Sequence, residues 1–411
     1  MHEKQKHLYV GVDLHKHDHV AVVINCWQEK LGEIKFENKP SAFSKFLQDI
    51  DKLLDDGLTP VFGLEDVGGY GRSLAQFLTD HGQVVKEVNP ALSYAERKSH
   101  MTTQKSDSWD AECVARVLVN QLNQLPDAKP HDLYWSIQQL VTRRNALVKA
   151  QGALKNQLHI QLSHHYPSYK KFFSEVDGKT ALAFWERYPS PSSLDGVSVK
   201  KLTTFLLEAS NNACSVKKAN DILRLVKEDG HTTKEHQETR DFLVRSIVRD
   251  IVFKKKEMNY VERELKELMS LLDFQLDSMP GIDLVTASAL IAEIGDVRRF
   301  PNANKLARFG GIAPVYFGSG GKGKEQKSKQ GNRALHALFY NLAVQQVQVA
   351  KGSKLPRNPV FHAYYLRKLK EGKTKGQALV CIMRRLVNIV YGMMKHKTAY
   401  KLPIVHEKEV V

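Results

Sequence analysis

Along the first ninety residues, apolar positions come in short runs separated by polar turns. Leu8-Tyr9-Val10-Gly11-Val12 and His19-Val20-Ala21-Val22-Val23-Ile24 are rich in β-branched side chains and predict two paired strands. Residues 30–36 predict a third strand. Residues 41–47 carry helical spacing, with Ser41 as the expected N-cap. Residues 60–65 predict a short buried strand, residues 72–78 a helix, and residues 84–88 one more strand. This order is that of a ribonuclease-H-like mixed sheet with flanking helices, so the N-terminal part is expected to be α/β.

The period then changes. Residues 111–118 place Ala111, Val114, Ala115 and Leu118 on one helical face. Residues 135–162 predict a long helix in which Leu140, Leu147, Leu154 and Leu158 recur near heptad spacing, which favours long paired helices and self-association. Pro189-Ser190-Pro191 breaks the chain, and residues 241–272 predict a second long amphipathic helix. Around Met279-Pro280-Gly281-Ile282 the pattern is that of a helix-hairpin-helix, whose backbone N–H groups at Gly281 and the following helix start could hold a phosphate. The remainder is helical and basic. The expected division is 1–125 (α/β), 126–272 (a helical, coiled-coil-like region) and 273–411 (mainly helical).

At 411 residues the chain is long for a single core. Its 61 Lys and Arg against 45 Asp and Glu leave a net charge of +16, which points to nucleic acid before an anionic membrane surface. No apolar run is long enough to cross a bilayer and the N-terminus has no signal-peptide core, so a cytoplasmic, nucleoid-associated protein with no membrane role is expected. The four cysteines lie far apart without a Cys-x-x-Cys pair, which argues against a structural zinc site or a disulfide framework.

Four carboxylates carry the candidate chemistry. Asp13 and Glu65 each stand at the end of an apolar strand, where a charge is costly unless compensated. Asp66 is the rival of Glu65; strand alternation lets only one of them face the site, and Glu65 is chosen. Asp107 and Asp110 are three apart at a helix start, hence on one face, where they could equally serve the positive end of the helix. Gathered together, the four would repel unless a cation lay between them. An oxygen-only donor set suits Mg2+, or Mn2+, and a pair of such ions serves phosphodiester transfer. Metal binding by His15, His17 and His19 is not expected. Near the other end, Ser319 stands among glycines that allow close backbone approach. Lys322, Lys324, Lys327, Lys329 and Arg333 follow on an expected exposed loop and helix start. Lys105, Arg143, Arg144 and Lys155 are further candidate phosphate contacts.

These residues resemble a known family in an ordered set: Gly11-Val12-Asp13-Leu14-His15-Lys16, Leu64-Glu65 with Gly71, Lys105-Ser106-Asp107-Ser108-Trp109-Asp110-Ala111, Pro280-Gly281-Ile282, Phe309-Gly310-Gly311-Ile312-Ala313-Pro314, Ser319-Gly320 and Gly331-Asn332-Arg333. The chain is similar to the DEDD transposases of the insertion-sequence one-ten family, which includes the Piv-type DNA invertases. Two departures are Ser106, where the family often has Thr, and His336, where Arg is frequent. The resemblance implies a RuvC-like N-terminal domain whose Asp13, Glu65, Asp107 and Asp110 bind magnesium, and a C-terminal transposase domain with Ser319 as nucleophile. It further implies donor and target DNA as substrates, an element-encoded bridge RNA as guide, and a tetramer of two dimers in which the acidic site of one subunit meets the serine of another. The alternatives are a junction-resolving nuclease that uses water, with Ser319 inert, and a protein-read DNA invertase.

Overall fold

The computed structural model describes residues 2–55, 57–66, 69–101, 105–128, 133–230, 235–319, 322–326, 328 and 330–401. Lys327 and Lys329 lie outside them. The chain forms two compact units, Met1–Asp132 and Leu133–Val411.

In the first unit, β1 (His7–Leu14), β2 (Asp18–Ile24), β3 (Lys30–Glu37), α1 (Pro40–Asp51), β4 (Thr59–Glu65), α2 (Arg72–Asp80), β5 (Val84–Glu87), α3 (Pro90–Ser99) and α4 (Asp107–Gln121) follow one another. The strands form one mixed sheet in the order β3-β2-β1-β4-β5. β1 pairs antiparallel with β2 and parallel with β4, so the centre of the sheet is covered on both faces and its strands are apolar throughout. On one face Leu8, Val10, Val12, Phe62 and Leu64 pack with Phe43, Phe46 and Leu74 of α1 and α2. On the other, Tyr9, Val22 and Val61 pack with Ala111, Val114, Ala115 and Leu118 of α4. The first helix begins earlier than expected: Lys39 is its N-cap, and Pro40, whose fixed φ suits a first helical turn, displaces Ser41 from that position.

Among its described residues, the regular elements of the second unit are helices and one hairpin. Two long helices, α5 (Leu133–His165) and α9 (Gln237–Ser270), pack along each other. Between them in sequence come α6 (Lys179–Arg187), α7 (Val199–Ala209) and α8 (Val216–Asp229). These surround an aromatic core of Tyr166, Phe172, Phe184 and Trp185 that takes in Leu158 and Leu162 of α5 and Val244 and Val248 of α9. The opposite ends of the long pair, Ile137 and Val141 of α5 and Leu265 of α9, join a second core with the C-terminal elements. Those elements are α10 (Leu284–Ile294), α11 (Ala303–Phe309), β6 (Val315–Ser319), β7 (Lys322–Gln326), α12 (Arg333–Val347), α13 (Pro359–Lys370) and α14 (Lys375–His396). Among the described residues no helix is long and apolar enough to cross a membrane.

Two local expectations are revised. Before Pro280 there is only a single 3-10 turn, Leu276–Ser278, in place of the first helix of a helix-hairpin-helix. The proline keeps Met279 extended and so ends helical winding there. Lys322 and Lys324, expected on an exposed loop, lie on a strand (Lys322–Gln326) that pairs antiparallel with Val315–Ser319, where Val315-Tyr316-Phe317 favours extended backbone.

Candidate active site

The geometry of the acidic site begins with two glycines. Gly11 of β1 and Gly63 of β4 are register partners, and α4 lies directly over both. A Cβ on Gly11 would come 2.1 Å from the Ala111 carbonyl oxygen and 2.3 Å from the Ala115 nitrogen; one on Gly63 would come 2.8 Å from Leu118. Helix backbone thus rests on strand backbone. Two residues further along each strand, on the same face by the alternation of side chains, stand Asp13 and Glu65, themselves register partners. The start of α4, one turn before Ala111, carries Asp107 and Asp110 to the same end of the sheet.

Ser106 is the N-cap of α4, its side chain accepting from the Trp109 N–H at 3.1 Å. The cap role is therefore filled by a neutral side chain, and Asp107 is free to turn to the strand. His15 Nε2 lies 3.1 Å from Asp13 Oδ2 and 3.4 Å from Asp107 Oδ1. One donor atom from each of Asp13, His15 and Asp107 falls within 4.8 Å of the others, close enough for the three to share a metal ion. The side chain of Asp13 is 16% exposed. Burial raises its carboxyl pKa above the ordinary value; His15 opposes that shift, and the charges of Asp110, Asp107 and Glu65 reinforce it.

The other two carboxylates are held by α3. Ser93 Oγ, fully buried, donates to Glu65 Oε2, and one turn later Arg97 Nε lies 2.9 Å from Asp110 Oδ1. Asp66 faces elsewhere: its Oδ2 accepts from the Gly71 N–H in the turn before α2, which leaves Glu65 as the residue beside Asp13. Sequence reading missed Ser93 and Arg97 and discounted His15. The one available signal was the spacing of Ser93 and Arg97 on a helical face, which has meaning only once α3 is placed beside α4.

A second locus is built from glycine motifs in the other unit. Gly311 (φ +62°) and Gly331 (φ +125°) sit so close that a Cβ on Gly331 would come 2.6 Å from the Gly311 nitrogen. The Asn332 N–H donates to the Phe309 carbonyl, and the Asn332 side chain both caps α12 and donates to Glu293. A cleft of about 500 Å3 opens here, lined by Gly310, Gly311, Gly331, Asn332, Arg333 and His336. His336 Nδ1 is 3.2 Å from the Gly310 carbonyl oxygen, so this histidine braces the two motifs. Between the two motifs in sequence comes the β6–β7 hairpin, with Ser319 at the last paired position opposite Lys322.

Of the other candidate cations, Lys105, Arg143, Lys322, Lys324 and Arg333 are exposed. Arg144 is engaged with Glu262 across the long helices at 2.7 Å, and Lys155 with Glu175 and Asp177 at 2.9 and 2.8 Å. The turn at Gly281 (φ +88°) packs on α12, where Gln346 donates to the Pro280 carbonyl.

Known proteins similar to this chain place this mixed sheet and its carboxylates in the transposase and recombinase class. A transposase family model carrying the DEDD label matches residues 10–167, and the model of the IS116/IS110/IS902 transposase family matches residues 274–366. The chain is 25% identical over 409 residues to the IS116 insertion-element protein of Streptomyces clavuligerus, covering 97% of this chain and 98% of that one. It is 25% identical over 396 residues to the pilin gene-inverting protein of Moraxella lacunata, covering 95% and 97%. It is 24% identical over 128 residues to the transposase of IS1111A from Coxiella burnetii, covering 31% and 34%. The chain belongs to the IS110 family of insertion-element transposases and recombinases.

Proposed function

We propose that this protein cuts and rejoins DNA through a serine-linked intermediate, assisted by a divalent cation held at the acidic site of a RuvC-like domain. The observation that carries the metal part is the convergence of Asp13, His15 and Asp107 beside Glu65 and Asp110 on the face where α4 meets β1. The donor set fits the ion: carboxylate oxygens, one of them with a raised pKa, with a single imidazole that Mn2+ accepts as well as Mg2+ prefers oxygen. Asp13, Glu65, Asp107 and Asp110 would hold it, with His15 as an additional donor. Bound there, the ion would polarise a phosphodiester and stabilise charge on the departing oxygen.

The chain's own residues supply the rest. Ser93 and Arg97 fix the rotamers of Glu65 and Asp110. Ser319 Oγ attacks phosphorus as its hydroxyl proton leaves; the P–O3′ bond breaks and the 3′ oxygen takes up a proton. A phosphoserine link and a free 3′-OH result, and attack by an exchanged 3′-OH reverses the step without external energy. In this reading Lys322, Lys324 and Arg333 hold strand phosphates. The names of the relatives, an inverting protein and insertion-element transposases, support donor and target DNA as substrates. A bridge RNA as guide and a tetrameric assembly belong to the same reading.

The test is a denaturing gel of labelled DNA incubated with the full chain, its co-purified RNA and Mg2+. A protein–DNA adduct is expected and should disappear in Ser319→Ala. Cleavage without any adduct would replace this reading with the water-using nuclease. Ser93→Ala is expected to keep the fold and to weaken metal affinity about tenfold, as loss of an outer partner of a ligand does. The Mn2+ concentration giving the half-maximal thermal shift measures this, and an unchanged midpoint would remove Ser93 from the site.

A further inference from the structure

The aromatic-cored helices between α5 and α9 carry a cleft of about 490 Å3 that has no part in the chemistry above. It lies within residues 168–273, between the two stretches that the family models match. Arg187, Lys200 and Lys201 line it, together with Ser198, Thr204 and Phe205. All three cations are exposed, and among the described residues none has a carboxylate within ion-pair distance. Arg187 is instead held by rings: its guanidinium carbon is 5.9 Å from the centroids of both Tyr188 and Phe205, which meet edge to face. A guanidinium fixed in this way keeps its planar fork of N–H donors free for an anion, and phosphate is the anion that fork matches best. The two lysines stand in the first turn of α7, at the positive end of its dipole. Glu208 at the rim is the one acidic residue of the lining.

We propose that this cleft binds backbone phosphates of a nucleic-acid strand, giving the chain a contact separate from the acidic and serine loci. The ligand is a polynucleotide because the cations are exposed and the cleft is open, which allows a strand to pass through. The contact rests on neither metal nor serine chemistry, so the three cations should contribute to binding in the absence of any divalent cation.

The experiment measures binding of the full chain to labelled single-stranded RNA, single-stranded DNA and duplex DNA across a salt series. The combined variant Arg187→Gln, Lys200→Gln, Lys201→Gln is expected to lose about tenfold or more in affinity, and its salt slope should fall by about 2, since each phosphate contact on a single strand contributes about 0.7. Loss with only one probe identifies the strand; equal loss with all three identifies shared phosphate recognition. Glu208→Gln should act in the opposite sense and tighten binding, which separates a charge effect from misfolding. A charge-matched control replaces three other exposed lysines, Lys217, Lys227 and Lys266, by Gln. Equal losses in the control and the cleft variant, or an unchanged slope in the cleft variant, would overturn the proposal.

Discussion

Asp13→Asn should abolish DNA cleavage while raising the melting temperature of the metal-free protein by a few degrees near neutral pH. The two effects have one cause. Asp13 ends a buried strand with Glu65 beside it and Asp107 and Asp110 above it, and its carboxyl pKa is raised by burial first and by those charges in addition. A carboxyl with a raised pKa binds its proton more tightly in the folded protein than in the unfolded chain, so its ionised form opposes folding. That penalty is full above the folded value and vanishes below the unfolded value of about 4. Asparagine removes it, so the gain should be present near pH 7 and shrink as the pH falls toward 4. The same substitution takes away a proposed metal ligand, and a loss of about a thousandfold or more in rate is expected, equivalent to about 4 kcal/mol. Thermal scans with and without Mg2+, beside a cleavage assay, check both. The metal should raise the melting temperature of the parent protein and leave that of the variant unchanged. A variant that still cleaves, or that Mg2+ stabilises as much as the parent, would show that Asp13 holds no ion.

Gly11→Val should be the most damaging single change outside the carboxylates. The new Cβ alone would meet the Ala111 carbonyl and the Ala115 nitrogen at 2.1 and 2.3 Å. Both are helix backbone and cannot turn aside as a side chain could, so α4 must lift off the sheet. Lifting it opens the contact of Val114 and Leu118 with the sheet and carries Asp107 and Asp110 away from Asp13. A cost of about 3 kcal/mol or more follows from overpacking of this kind, equivalent to a fall of roughly 10 °C in melting temperature, with loss of metal response. Gly152→Ala is the contrast: Gly152 lies inside α5 with nothing within 4 Å of a Cβ, so alanine should be neutral or stabilise by up to about 1 kcal/mol. Equal melting temperatures for the two variants would refute the account of how α4 is seated.

The two effects bear on how the site is made. Its carboxylates come from two strands and one helix, and their convergence depends on the glycines that let the helix descend. Neighbouring side chains then pack against the cluster: Arg97 of α3 sits against Asp110, and His15, just past β1, sits against Asp13 and Asp107. The fold therefore tolerates four acidic groups at one end of the sheet.

Much of this was determined by the sequence alone. The apolar runs with β-branched residues placed every strand of the mixed sheet, because strand period and turn residues are local properties of the chain. The positions of Asp13, Glu65, Asp107 and Asp110 at strand ends and a helix start were legible for the same reason. Tertiary structure decided the remainder. Alternation alone could not say whether Glu65 or Asp66 faced the site; parallel register with Asp13 and the Gly71 contact of Asp66 did. His15, Ser93 and Arg97 joined the site through contacts between elements far apart in sequence. Arg144 and Lys155 resembled free phosphate contacts until the long helices brought Glu262, Glu175 and Asp177 against them. Whether a charge is spoken for depends on what lies across from it in space, and that is settled by packing rather than by spacing along the chain.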